Sequence, residues 1–266
     1  MALFKKIIAR VFIWTVLALM YLPILIITVF SFSKNLRIDF SSFRFGFNAY
    51  VQLFQNADIG AAVANTLIIA VISSLLSVLI AAVACIGIMA MKRRSRNLIM
   101  SLNQLPIINA DIVTALALLI FFSAIGFAND SLLKLILVHI LISMPFVMLT
   151  LLPRFRQLDP NLFEAGQDLG ATPTQSLFKV VIPQMLPAMV TAFFLGFTLS
   201  LDDFMITAYN TEGINTISTL VYSYTKKMMP VDFRALSAII LVLAFTILIV
   251  YNIRTAKKRK KEGRSV

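Results

Sequence analysis

Three carboxylates and one histidine interrupt otherwise apolar runs of this 266-residue sequence: Asp111, Asp202, Asp203 and His139. Ionisable groups at membrane depth are costly and are functional candidates by default. The two runs that hold the carboxylates contain no lysine or arginine, and an unpaired carboxylate in a medium of low dielectric needs either a proton or a cation. These residues therefore predict a path for positively charged solutes and argue against phosphate, sulfate or molybdate.

Other roles are open to the same residues. Asp202 or Asp203 could cap a break in a helix or hydrogen-bond to a partner chain, and we expect only one of the pair to face a path because neighbouring helical residues point about 100° apart. Phe204 and Tyr209 could add cation–π contacts. His139 has no carboxylate three or four residues away on its own helix, which favours a hydrogen-bonded packing role over a proton relay.

Composition sets the class of the protein. The chain is 59% hydrophobic and 14% charged, with a mean hydropathy of +0.90, whereas a soluble domain is about 45–50% apolar and about 25% charged. A soluble globular fold and a disordered chain are both excluded on this balance. The single cysteine, Cys85, excludes an intramolecular disulfide framework and a cysteine metal cluster. We predict an all-α polytopic membrane protein.

Six apolar runs are long enough to be membrane helices. Measured along straight helices at 1.5 Å per residue, Asp111 would lie about 20 Å into the third run and Asp202 about 22 Å into the fifth. The carboxylates are therefore expected at a similar depth. The predicted spans are Val11–Phe32, Ala61–Met91, Leu98–Phe127, Leu132–Leu152, Pro187–Tyr209 and Leu236–Ile253.

Most of the 24 basic residues fall on one side of these spans, which places both termini in the cytoplasm by the positive-inside rule. The sequence divides into an N-terminal tail, first helix and outer loop at residues 1–60, a core at 61–253, and a basic tail at 254–266. Because the tail follows a membrane span directly, we expect it to bind anionic lipid rather than nucleic acid.

The predicted cytoplasmic loop at residues 158–186 carries the signals of two short helices separated by a turn. A helix cap is followed by a first-position proline, a left-handed glycine ends the first helix, and a capping box starts the second. Two prolines are expected to close the segment before the fifth span. In chain order these signals are Asp159, Pro160, Gly170, Thr172–Gln175, Pro183 and Pro187.

The same loop resembles the EAA motif of type I ABC importer permeases. The matching residues are Glu164-Ala165-Gly166, then Gly170, then Val180-Val181-Ile182-Pro183, with Gly166, Val180 and Ile182 as small apolar departures from the pattern. The resemblance implies the type I permease fold, with six transmembrane helices and a coupling helix between spans four and five that docks on a separate ATPase. In that role Glu164 offers a charge, Ala165 and Gly166 permit close approach, and Gly170 sets the angle between the helices.

The resemblance also implies partners: a second homologous permease, two copies of an ABC ATPase and an extracytoplasmic binding protein. No G-x-x-x-x-G-K-[ST] motif is found, so we expect ATP and Mg²⁺ on the ATPase and no cofactor, metal or catalytic residue on this chain, which would be a transport subunit and not an enzyme. Combined with the carboxylates, the resemblance implies import of polyamines such as spermidine or putrescine across the bacterial inner membrane.

Two alternatives stay open. One is a permease for another cationic or neutral solute. The other is a secondary transporter or channel subunit that is coupled to a cation gradient. Secondary transporters often carry inverted repeats, and no such repeat is evident in this sequence.

Overall fold

The computed structural model describes residues 2–34, 43–127, 130–159, 161–225 and 230–262. Over these residues the chain forms twelve α-helices and one π-helical turn, Leu177–Val181, with no named strand, which confirms the all-α prediction. Pro160 and the last four residues of the basic tail lie outside the described residues, as do residues 35–42 of the predicted outer loop. The helices are α1 Ala2–Phe30, α2 Asn48–Gln55, α3 Ala57–Ala90, α4 Arg93–Ile108, α5 Asp111–Ala124, α6 Leu132–Gln157, α7 Asn161–Asp168, α8 Pro173–Ser176, α9 Ile182–Asp202, α10 Met205–Asn210, α11 Ile217–Thr225 and α12 Val231–Glu262.

Four helical stretches of the described chain are long and apolar enough to cross a membrane, or five if one bent pair counts as a single span. The four are Arg10–Phe30, Ala57–Ala90, Leu132–Gln157 and Pro173–Asp202. They contain most of the first, second, fourth and fifth predicted spans, and α12 contains the sixth. The count of six, and the division of the chain at residues 60 and 253, stay predictions.

The third predicted span is broken, so the straight helix expected over Leu98–Phe127 is wrong. α4 and α5 meet at an angle of 108°. The residues between them, Asn109 and Ala110, have extended backbones, and Pro106 in the last turn of α4 cannot supply an N–H to continue the ladder. The depth of Asp111 reckoned along a straight helix therefore does not hold. Asp111 instead begins the second arm of the bent pair.

The fifth predicted span also has different ends. α8, the π-helical turn and α9 form one helical stretch of 30 residues from Pro173 to Asp202, and Tyr209 lies in the separate helix α10. Pro183 and Pro187 do not close the loop as expected, because both are accommodated inside the helix. Pro183 occupies the first turn of α9, directly after the π-helical turn, where the amide of Ile182 donates to the carbonyl oxygen of Leu177.

The chain divides into two compact units. The first comprises Met1–Gly60 and Ser223–Val266, in which α12 packs on α1 and α2. The side-chain nitrogen Nδ2 of Asn56 donates to the carboxylate of Asp232 at 2.8 Å. The hydroxyls of Ser31 and Tyr50 share a hydrogen bond of 2.9 Å. These polar contacts join the end of α1 and the flanks of α2 to the start of α12.

The second unit, Ala61–Tyr222, holds the main core. Buried aliphatic side chains of α3, α6 and α9 pack together there, with the fully buried Met185 and Ala192 contributed by α9. Gly196 lets α9 approach its neighbours closely, since an added Cβ would lie 3.3 Å from Val147 Cγ2 and 3.4 Å from Ser74 Cβ. This packing fixes the end of α9, where two of the predicted site residues are found.

Candidate functional site

A cavity of about 320 Å³ in the second unit brings the three predicted carboxylates together. Asp111 reaches it from the start of α5, Asp202 from the end of α9, and Asp203 from the break before α10. Both members of the adjacent pair line the cavity because the helix ends between them. The described lining contains no lysine or arginine: Asp111, His139, Ile142, Ser143, Phe146, Thr198, Leu199, Ser200, Asp202, Asp203, Phe204, Met205 and Ile206.

Asp111 and Asp202 are the accessible charges of this cavity. Both residues are exposed, and among the described residues neither carboxylate forms a hydrogen bond or ion pair. Asp111 lies in the first turn of α5, where a negative charge is stabilised by the helix dipole. Each can therefore offer its full acceptor capacity to a cation that enters the cavity.

Asp203 differs because it caps α10. Its Oδ1 accepts a hydrogen bond from the amide of Ile206 at 3.2 Å, and its Oδ2 accepts from both the amide and the hydroxyl of Thr207 at 2.9 Å. An ionised carboxylate has about four lone-pair sites, so three of the four are used within the protein. The capping role and the cavity-lining role thus coexist in one residue.

His139 is the site residue whose surroundings the sequence did not reveal. It is buried on α6, with Nδ1 2.7 Å from the hydroxyl of Ser200 and Nε2 3.1 Å from that of Thr207. Its Nε2 also lies 3.7 Å from Asp203 Oδ2. The predicted hydrogen-bonded packing role is confirmed, but the carboxylate neighbour comes from a different helix. No short pattern in the sequence could have revealed this contact, because it joins α6 to the break after α9.

One ring of an aromatic pair lines the cavity. Phe204 packs against Tyr222 with ring centroids 4.2 Å apart, and Phe146 also lines the cavity. Tyr209, the other predicted aromatic contact, is not among the lining residues. A cation in the cavity would therefore meet the Phe204 ring and not that of Tyr209.

The loop at residues 158–186 has the predicted helix-turn-helix geometry. α7 ends in a Schellman motif: the amide of Gly170 donates to the carbonyl of Gln167 at 2.8 Å, and that of Ala171 to the carbonyl of Gly166 at 3.2 Å. Gly170 has a φ of +88°, as its left-handed role requires. These observations confirm how the first helix of the loop ends.

The start of each loop helix also matches the prediction. The side chain of Asp159 accepts a hydrogen bond from the amide of Asn161 at 3.0 Å, which fits its predicted capping role. Thr172 and Gln175 form a reciprocal capping box, with Pro173 in the first turn of α8. The capping and turn residues in the sequence were therefore sufficient to predict where both helices lie.

Gly166 is where the two loop helices touch. An added Cβ would lie 3.1 Å from Ser176 Cβ and closer still to its hydroxyl. That hydroxyl donates to the carbonyl oxygen of Phe163 at 2.7 Å. Gly166 and Ser176 are both buried, so the small residue at position 166 allows α7 to pack directly on α8.

The remaining motif residues fall into two groups. Glu164 and Ala165 are exposed on α7. The apolar side chains of Leu169, directly after α7, and of Phe178, in the π-helical turn, are exposed as well. Val180 lies in the π-helical turn, and Ile182-Pro183 begin α9. The exposed group can meet another protein, whereas the second group joins the loop to the 30-residue helical stretch.

Comparison with known proteins decides the family. The binding-protein-dependent transport system inner membrane component family matches residues 78–261, more than half of the chain. This chain belongs to that family. The permease is accordingly a transport subunit and not an enzyme, and it is a multi-pass protein of the inner membrane.

Relatives of the permease include spermidine/putrescine transport system permease proteins PotC. That of Haemophilus influenzae is 28% identical over 92% of this chain and 95% of its own length, and that of Escherichia coli K12 is 29% identical over 94% of both. The putrescine transport system permease protein PotI of E. coli K12 is 29% identical over 84% of this chain and 81% of its own.

Solved structures with the same fold include a bacterial ABC transporter involved in import of the acidic polysaccharide alginate. It has a TM-score of 0.71 at 17% identity, over 95% of both chains. The same kind of transporter in complex with an alginate-bound periplasmic protein gives a TM-score of 0.67 at 19% identity, over 94% of this chain and 92% of that one. These likenesses confirm the ABC importer permease fold.

Proposed function

We propose that this permease moves polyamines such as spermidine and putrescine into the cell through the cavity lined by Asp111, Asp202 and Asp203. The observation that carries the proposal is the convergence of these three carboxylates on one cavity whose described lining has no lysine or arginine. The names of the PotC and PotI relatives point to the same substrates.

The chemistry of the cavity favours a flexible organic polycation over a single metal ion. Asp111 and Asp202 belong to different helices and have no described partner, so each can receive a separate ammonium group. The Phe204 ring adds a surface on which a cation or its methylene chain can pack. No group of three or more potential metal ligands is found within the described residues.

Transport by the reconstituted complex tests this assignment. We expect Asp202→Asn and Asp111→Asn to lower uptake of labelled polyamine by about 10- to 150-fold, the value of one charge-assisted contact. Spermidine uptake should fall further than putrescine uptake, because spermidine carries one more charge. Asp→Glu at either position keeps the charge and should have a milder effect.

Asp58→Asn provides the matched control. Asp58 is an exposed carboxylate in the first turn of α3 and does not line the cavity, so its neutralisation should leave uptake unchanged. Wild-type uptake of both polyamines in the Asp111 and Asp202 variants would remove these residues from the pathway.

We further propose that the loop at 158–186 docks on an ATPase that holds ATP and Mg²⁺, in a complex with a second permease, two ATPase copies and an extracytoplasmic binding protein. Exposed Glu164 and Ala165 beside exposed Leu169 and Phe178 support this docking surface. Glu164→Lys should abolish uptake while the protein still inserts, whereas Asp58→Lys, the charge-reversal control, should not. Normal coupled ATP hydrolysis in Glu164→Lys would contradict the assignment.

The same proposal places both termini and the loop at Lys92–Asn97 in the cytoplasm. Single cysteines in a Cys85→Ser background can report this with an impermeant thiol reagent on intact cells. Gly60 and Ser95 are both exposed, and a Cβ at Gly60 would meet no atom within 4 Å. Labelling of Gly60→Cys without Ser95→Cys is expected, and the reverse pattern would invert the topology.

A further inference from the structure

We propose that His139 is a positioning residue that holds the Asp203 carboxylate in the cavity wall through the hydroxyl of Thr207. The inference rests on the proposed function in one respect: Asp203 belongs to the cation path. It adds a residue that the sequence assigned to packing alone.

The starting point is a continuous series of polar contacts across four helices. Ser73 of α3 donates to Ser200 of α9 at 3.4 Å, and Ser200 lies 2.7 Å from His139 Nδ1 on α6. His139 Nε2 lies 3.1 Å from the hydroxyl of Thr207 on α10, and that hydroxyl donates to Asp203 Oδ2 at 2.9 Å. The series therefore ends on a carboxylate of the cavity.

The direction of each hydrogen bond follows from the ends of the series. An ionised carboxylate only accepts hydrogen bonds, so the Thr207 hydroxyl donates its one hydrogen to Asp203. Its oxygen must then accept from His139, which makes Nε2 the protonated nitrogen. Nδ1 is left as an acceptor for the hydroxyl of Ser200, which itself accepts from Ser73.

The imidazole is therefore neutral, with its hydrogen on Nε2. A second proton on Nδ1 would face the Ser200 hydroxyl, whose hydrogen has no other acceptor among the contacts of the described residues. His139 is buried, and burial adds to the cost of the charged form. The carboxylate oxygen Oδ2 of Asp203 lies 3.7 Å from Nε2, and it already accepts a hydrogen bond from the Thr207 hydroxyl.

The consequence falls on Asp203. Because His139 occupies the acceptor site of the Thr207 hydroxyl, the hydroxyl hydrogen stays directed at Oδ2. Together with the two backbone donors, this leaves the free acceptor capacity of the carboxylate on Oδ1. His139 thus fixes which oxygen of Asp203 is available to a cation.

The first measurement detects the predicted imidazole form and does not require a transported substrate. His139 is the sole histidine of the chain. Assembled transporters labelled with 15N-histidine, as wild type and as His139→Gln, give a difference spectrum that isolates this imidazole. We expect one protonated nitrogen, Nε2, and one unprotonated nitrogen. A proton on Nδ1 alone, or on both nitrogens, would overturn the proposal.

The second measurement separates positioning from packing. His139→Leu removes both hydrogen bonds and should raise the KM for polyamine uptake by about 2- to 10-fold, the worth of one hydrogen bond, with a smaller change in kcat. His139→Gln keeps one donor and one acceptor and should restore the KM. A purely structural role would lower the yield and kcat of His139→Leu without moving the KM.

Thr207→Val tests the connecting hydroxyl. It should mix the two tautomers of His139 and raise the KM as His139→Leu does. Thr191→Val is the matched control, because the Thr191 hydroxyl bonds to the Pro187 carbonyl on its own helix and Thr191 does not line the cavity. An unchanged tautomer in Thr207→Val would refute the proposal. If the wild type carries no polyamine, the proposed function fails, and the spectra still decide whether His139 is held as inferred.

Discussion

Neutralising Asp203 should damage the protein in a way that neutralising Asp202 does not. Asparagine caps a helix about as well as aspartate when one donor is involved, but Asp203 serves three donors with two oxygens. In Asp203→Asn the single carbonyl oxygen can keep the two Thr207 donors, and the amide group then faces the backbone N–H of Ile206. That N–H belongs to a buried residue, and a buried donor without an acceptor costs about 1–3 kcal/mol.

Asp202→Asn loses no described hydrogen bond, so its free energy of unfolding should change by less than about 0.5 kcal/mol. Thermal unfolding of the two purified variants gives the comparison. At about 2–4 °C per kcal/mol for a chain of this size, the Asp203→Asn midpoint should fall by several degrees and that of Asp202→Asn by no more than about 2 °C. Uptake should fall in both. Equal midpoints for the two variants would refute the assignment of Asp203 as the cap of α10.

Three further predictions concern the loop at residues 158–186. Gly166→Ala should lower coupled ATP hydrolysis several-fold, because the added methyl group pushes α7 away from Ser176 at an overpacking cost of about 1–3 kcal/mol. Ser176→Ala in the same chain should recover part of the lost hydrolysis. No recovery would mean that the contact between positions 166 and 176 is not the cause. Gly170→Ala should destabilise the loop by roughly 1–2 kcal/mol through its left-handed backbone, since a Cβ there meets no neighbouring atom, and limited proteolysis should show faster cleavage. Thr172→Ala should cost about 0.5–2 kcal/mol by the same assay, while Thr172→Ser should be silent.

The sequence predicted best what depends on neighbouring residues. The Schellman end at Gly170 and the capping box of Thr172 with Gln175 each involve residues within five positions of one another, so the residue types alone specify the geometry. The three cavity carboxylates were found for a different reason: charge is rare in the apolar runs, and each exception is conspicuous.

The sequence-based predictions failed where the structure depends on contacts between distant residues or on how several turns adjust together. Pro183 and Pro187 were expected to close the loop before the fifth span, but a proline removes only one donor and its cost depends on how the preceding turn adjusts. Here the π-helical turn at Leu177–Val181 makes that adjustment. The proximity of His139 and Asp203 depends on the packing of α6 against the break after α9, which no short pattern encodes.

The continuous helical stretch from Pro173 to Asp202, formed by α8, the π-helical turn and α9, has a mechanical consequence. At 1.5 Å per residue its 30 residues extend about 45 Å. One end of this helical stretch lies in the capping box of the loop, and the other end is the cavity residue Asp202. If the loop docks on an ATPase as proposed, its displacement would reach Asp202 along a single backbone, without passing through side-chain contacts. Helices kink at π-bulges, so we expect the π-helical turn near the loop end to bend first and to limit how much of that displacement reaches the cavity.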